Sequence, residues 1–129
     1  MREILFRGKV LYEKCWIEGS LYIVDGLTFM IRPRMQTLQV DAESVGQYTG
    51  LTDKNGKRIF EGDIIECWSE GVRARGTVQQ RKDGMWIIYP AWQKHIMWGL
   101  CPNEYGTTSV EVIGNIHDNP ELSQEANHP

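Results

Sequence analysis

Gln47-Tyr48-Thr49-Gly50-Leu51-Thr52-Asp53-Lys54-Asn55-Gly56-Lys57-Arg58-Ile59-Phe60-Glu61-Gly62-Asp63-Ile64-Ile65 carries the pattern from which the fold is read. Gly50, Gly56 and Gly62 recur at six-residue intervals, and each offers a bend that a residue with a Cβ resists. Asn55-Gly56 separates two strand-like segments, 47–51 and 58–60. An Asx-Gly pair accepts the positive φ values of a tight hairpin turn. Glu61-Gly62-Asp63 then turns the chain into the apolar run Ile64-Ile65-Glu66-Cys67-Trp68, which suits a core strand. The stretch therefore reads as two chain reversals within a β-sheet.

The same device recurs on both sides. Asp25-Gly26 lies between the strand-like runs 14–24 and 27–32, and Asp83-Gly84 lies between 76–80 and 85–89. Aromatic and β-branched residues dominate these runs at period two, as a pleated, half-buried surface requires. A last strand is expected over 109–116, with Val110, Val112 and Gly114 on one face and Glu111, Ile113 and Asn115 on the other. Short strands joined by Asx-Gly turns, without a helical pattern between them, predict an antiparallel, mostly β fold closing as a small barrel or sandwich. Residues 33–46 and 90–106 read as irregular connections. Asn119-Pro120-Glu121-Leu122 predicts a single helical turn, and the polar stretch 123–129 a flexible C-terminal tail.

The whole chain has 129 residues, 41% of them hydrophobic and 24% charged, with a net charge of −3. Folding a chain of this mass hides about two-thirds of its surface, so a single domain over 1–122 needs no metal or disulfide to stand. The composition excludes collagen, coiled coil and wholesale disorder. No apolar run approaches the ~20 residues of a membrane-spanning helix, and Met1-Arg2-Glu3-Ile4-Leu5-Phe6-Arg7-Gly8 lacks the apolar core and cleavage site of a secretory signal. A cytoplasmic location is the expectation, without membrane contact. Cys15, Cys67 and Cys101 are odd in number and widely spaced, which predicts free, reduced thiols. Cys15 and Cys67 sit in strand-like runs, where a thiol packs as a small hydrophobe.

Candidate chemistry divides into what fails and what survives. Residues 50–58 imitate a phosphate-binding loop, but five residues separate the glycines and Arg58 replaces the required hydroxyl residue. Asp53, Glu61 and Asp63 are acids that could serve proton transfer, yet they read better as solvated turn residues, with Asp63 bonding nearby backbone amides. His95, Cys101 and His117 lack the close paired spacing of a zinc site. No cofactor, metal or catalytic set is expected, and an enzyme acting on a small molecule around Asp63, His95 and Cys101 ranks last. Arg73, Arg75, Arg81 and Lys82, near Trp86, are the candidate nucleic-acid contacts, because small barrels bind single strands through such cations and stacking aromatics. The competing reading makes them the solvent face of a strand, where charge blocks edge-to-edge association. Trp86, Tyr89, Trp92 and Trp98 form a candidate interaction surface; the alternative is that the connection at 89–100 folds back to close the core.

Residues 47–65 closely resemble the signature of the YopX protein family of phages and prophages. The opening Met1-Arg2-Glu3-Ile4-Leu5-Phe6-Arg7-Gly8-Lys9 is similar to the family's start, and Glu111-Val112-Ile113-Gly114-Asn115-Ile116-His117-Asp118-Asn119-Pro120-Glu121-Leu122 to its end. The resemblance implies a small SH3-like β-barrel, encoded by a mobile element and acting in the bacterial cytoplasm. It implies no activity and carries over no catalytic residue. The stretch 66–108 departs most from the family pattern, so a particular ligand would be read there. The function expected is that of a non-catalytic accessory module that binds a phage or host macromolecule or assembles with itself as a homo-oligomer. Single-stranded nucleic-acid binding is the alternative.

Overall fold

The computed structural model describes the backbone of residues 3–32, 34, 36–69, 72–91, 96–100 and 102–122, and the side chains of these except 68–69, 72–73, 90–91 and 96–98. The chain forms two compact units, Met1–Tyr48 and Thr49–Pro129. Both are mostly β, and their strands pair antiparallel.

In the first unit, β1 (Phe6–Lys9), β2 (Trp16–Val24), β3 (Leu27–Arg32) and β4 (Gln36–Gln39) pair in chain order. Gly46 and Gln47 at the start of β5 (Gly46–Thr52) pair with the other edge of β1. The Asp25-Gly26 turn is as expected, with φ of 52° and 76°. Val10, Ile17, Met30 and Val40 form the core, with Phe6, Leu21, Leu38 and Val45 packed around them. Gly19 marks a close approach of backbones: a Cβ there would lie 2.3 Å from the Ile31 carbonyl oxygen. The connection expected to be irregular at 33–46 instead contains β4 and a short 3-10 turn at Ala42–Ser44, begun by Asp41, whose side chain accepts from the Glu43 N–H at 3.1 Å. No period-two run announced β4, a strand of only four residues.

In the second unit, β5 continues beside β6 (Arg58–Phe60). A five-stranded sheet follows in the order β10-β9-β8-β7-β11, made of β7 (Asp63–Ser69), β8 (Val72–Gln80), β9 (Trp86–Ala91), β10 (Ile96–Gly99) and β11 (Glu111–Asn115). Its core is Ile59, Ile65, Cys67, Ala74, Val78, Ile88, Leu100 and Val110. Gly50, Gly56 and Gly62 all take positive φ, 86°, 83° and 91°, so all three bend the chain as their spacing suggested. The alternation expected along β11 is interrupted, because the register slips between Val112 and Gly114 and leaves Ile113 as the extra residue of a bulge.

The hairpins at Asp25-Gly26, Asn55-Gly56 and Asp83-Gly84, the core strand at β7 and the last strand at β11 all stand where the sequence placed them. Closure into an SH3-like barrel does not: among the described residues there are two antiparallel sheets and no closed barrel. In the first unit the chain ends beyond β1 and β4 meet at one bridge, Val10 with Val40. A helical turn starts at Pro120, while the tail expected at 123–129 lies outside the described residues.

Candidate functional site

The centre of the glycine-punctuated pattern, 52–57, is a strap across a sheet edge. Thr52 N–H donates to the Gly106 carbonyl at 2.9 Å, Thr108 N–H donates to the Thr52 carbonyl at 2.8 Å, and Lys54 N–H donates to the Val110 carbonyl at 2.9 Å. The strap therefore runs beside the edge of β11 that faces away from β7. Asp53 locks it there. One carboxylate oxygen accepts the backbone N–H groups of Asn55 and Lys57, both at 2.9 Å, and the other accepts that of Val112 at 3.1 Å. Lys54 adds an ion pair to Glu111 at 3.2 Å.

Asp53 and Asp63 are each only 1% exposed, which corrects the expectation that they are solvated turn residues. Burial by itself would raise the Asp53 carboxyl. The N–H groups of Val112, Lys57 and Asn55, with the Lys57 charge, outweigh it and hold the group below its ordinary value. An anion so held does not serve as a general acid at neutral pH. Asp63 accepts the Phe60 N–H at 2.8 Å, the backbone role its sequence context suggested. Glu61 is exposed on the turn between them.

The candidate nucleic-acid contacts are separated by their partners. Arg75 pairs with Glu66 at 3.0 Å, both mostly buried. Arg81 pairs with Asp83, whose carboxyl falls to about 2 because the Arg81 side chain and the Met85 N–H donate to it. Lys82 is exposed. Arg73 lies in β8 opposite Trp68, but both side chains lie outside the described residues. Of the candidate interaction surface, Trp86 packs against the second unit's core and Tyr89 is half-buried. Trp98 stands in β10 opposite Ile88, its side chain outside the described residues. Trp92, His95 and Cys101 also lie outside them. Cys67 is buried in the core, and burial, then the Glu66 charge, pushes its thiol up. Cys15 is exposed, because it precedes β2 in the turn where Lys14 takes a φ of 60°, rather than lying within a strand.

A surface that the sequence reading passed over lies at the end of the β2–β3 hairpin. Among the described residues, β1 pairs with β2 only as far as Gly19, and β4 pairs with β3 only from Phe29. The hairpin therefore outruns both neighbours. Its projecting part, called here the arm, exposes Tyr22 by 49%, Ile23 by 63%, Val24 by 38% and Leu27 by 47%. Ile17 points to the core, so by alternation Tyr22 and Val24 belong to the outer face, opposite Phe29 and Leu27. The Tyr22 and Phe29 rings lie 6.4 Å apart. Nearer the base of that face Arg7 lies 4.8 Å and Lys9 5.7 Å from the Trp16 ring. The available signal was the unbroken run Leu21-Tyr22-Ile23-Val24, apolar on both faces of a strand.

The described surface also has an open depression of about 410 Å³ lined by Pro102, Asn103, Thr107, Thr108 and Ser109. Its polar groups serve the chain itself: Asn103 accepts the N–H groups of Tyr105 and Thr107, and the Thr108 hydroxyl donates to the Thr52 carbonyl.

Residues 5–124 match the profile of the family described as YopX protein. The chain belongs to the YopX family. A solved structure, protein EF1440 from Enterococcus faecalis, is 26% identical to this YopX-family chain, with a TM-score of 0.56 over 95% of this chain and 99% of that one. No curated protein matches it. The family match takes in both units, the strap and the arm, and no activity comes with it. In this YopX-family chain no helix among the described residues is long and apolar enough to cross a membrane.

Proposed function

We propose that this chain is a non-catalytic accessory module of a phage or prophage, working in the bacterial cytoplasm by docking onto a macromolecule or another copy of itself. One observation carries the reading: Tyr22, Ile23, Val24 and Leu27 stand together and exposed on an arm that outruns its neighbouring strands. Clustered exposed apolar side chains of this kind mark interaction sites, whereas single ones need no explanation. The family signature supports the same reading from the other side, because its buried acids are spent on backbone N–H groups.

Single-stranded nucleic-acid binding through Arg73, Arg75, Arg81 and Lys82 is the weaker reading, since Arg75 and Arg81 already hold carboxylates. Light scattering on the purified chain, with retention of proteins from infected lysate, tests the docking reading. A double variant Tyr22→Ser, Leu27→Ser is expected to lose whatever the native chain gains. A native chain that stays strictly monomeric and retains nothing defeats it.

A further inference from the structure

The edge of β11 that faces away from β7 is covered group by group, and by side chains where the strap runs out. Its bonded groups recur at every second residue: Thr108 N–H on the Thr52 carbonyl, Val110 C=O on the Lys54 N–H, and Val112 N–H on the Asp53 carboxylate. Thr52 and Thr107 form a parallel bridge. Thr52 bonds as a residue of a parallel strand does, donating to Gly106 and accepting from Thr108. By the same rule Lys54, having donated to Val110, would accept from Val112. The Asp53 carboxylate takes that place, because the chain turns away at Asn55-Gly56, where Gly56 has a φ of 83°. A side-chain oxygen thus continues a ladder that the backbone leaves.

Beyond Val112 the substitution is repeated. The extra residue Ile113 shifts the alternation by one, so that the next N–H to find its acceptor on the outer edge is that of Asn115, on Asn119 Oδ1 at 3.2 Å. A Cβ at Gly114 would lie 2.5 Å from the same oxygen, which reaches so close only over a residue without one. Bare N–H and C=O groups along a sheet edge are a template for another chain, and proteins blunt them with covering loops, bulges and charge. This edge has all three: the strap, the bulge at Ile113, and the exposed Lys54 and Lys57 on the strap. The other edge strands of the two sheets, β4, β6 and β10, have only four, three and four residues. Here the outward groups run from Thr108 to Asn115.

We propose that Asp53, seconded by Asn119, is an edge guard: by holding the outward N–H groups of β11 it keeps that strand from pairing with β11 of a second copy, and its loss opens a strand-accepting edge. Two such edges meet antiparallel about a twofold axis, as an isologous pair must. The device lies in a different unit from the arm. Association through the arm is therefore common to every chain compared, and only the gain over the native chain reads the edge.

Sedimentation velocity of the full chain over a concentration series tests it. Asp53→Ala is expected to associate about tenfold or more tightly than the native chain, and more tightly still when Asn119→Ala is added. Asn119→Asp, which keeps an acceptor oxygen, is expected to behave as native. Gly19→Ala, strained in the other unit, is expected to gain nothing, which separates edge pairing from the association of a merely less stable chain. Hydrogen exchange locates the contact: in Asp53→Ala the Val112 amide exchanges fast in dilute solution and regains protection as concentration rises. Asp53→Asn, the smaller change, carries the same expectation where Asp53→Ala does not fold. A folded Asp53 variant that associates no more than the native chain overturns the proposal. So does an equal gain in Gly19→Ala, or association that leaves the Val112 amide unprotected.

Discussion

Replacing Asp53 by alanine removes the acceptor of the Asn55, Lys57 and Val112 N–H groups at one stroke. Asn55 and Lys57 are exposed, so water can reach their amides and each loss costs about 0.5–1 kcal/mol. Val112 N–H lies against a carboxylate that is 1% exposed, and leaving it without an acceptor costs about 1–3 kcal/mol. Together the variant is expected to lose about 2–4 kcal/mol, allowing for coupling between neighbouring bonds. Asp53→Asn does not restore the site, because its NH2 group must face at least one of the same donors. The pH dependence has a fixed sign. The folded group titrates below its unfolded value, so its stabilisation is complete above the ordinary aspartate range near 3.8 and is lost as pH falls through the lower folded value. Urea unfolding at pH 7 and at pH 3 reads both effects, and hydrogen exchange of the Val112 amide reads the bond itself. An Asp53→Ala chain within about 0.5 kcal/mol of native, or with Val112 equally protected, would refute the role given to the strap.

Gly19→Ala places a methyl 2.3 Å from the Ile31 carbonyl oxygen, and a loss of about 1–3 kcal/mol is expected in thermal unfolding; an unchanged midpoint would show that the strands part freely there. In the folded chain Cys15 is expected to react with a thiol reagent and Cys67 to react only on unfolding, since one is exposed and the other buried; equal rates would contradict the packing of the second core. Binding to single-stranded DNA, if measured at low salt, is expected to be little changed by Arg75→Gln, because that side chain is held by Glu66; a steep salt dependence that this variant lowers by about 0.7 per phosphate would revive the nucleic-acid reading.

Much of the strand order was readable because its signals are local. A turn such as Asp25-Gly26 needs only its own φ values and the alternation on either side, and both are written in consecutive residues. β4 and β10 were missed because strands of four residues carry too few repeats to show a period, and their pairing comes from β3 and β9. The two acids of the signature were seen but misplaced at the surface. Asp53 is buried against the N–H of Val112, 59 residues away in the chain, and no local pattern announces such a partner.

The amino-acid order alone determined that this chain is a mostly β YopX-family protein, bent at Gly50, Gly56 and Gly62, because turn conformation and pleat period are properties of neighbouring residues. Tertiary structure decided that Asp53 clasps a sheet edge, that Trp86 supports a core, and that Tyr22, Ile23, Val24 and Leu27 stand exposed. Exposure of a strand depends on where the adjoining strands stop, a long-range property of the sheet, and β1 and β4 pair with the hairpin only as far as Gly19 and Phe29.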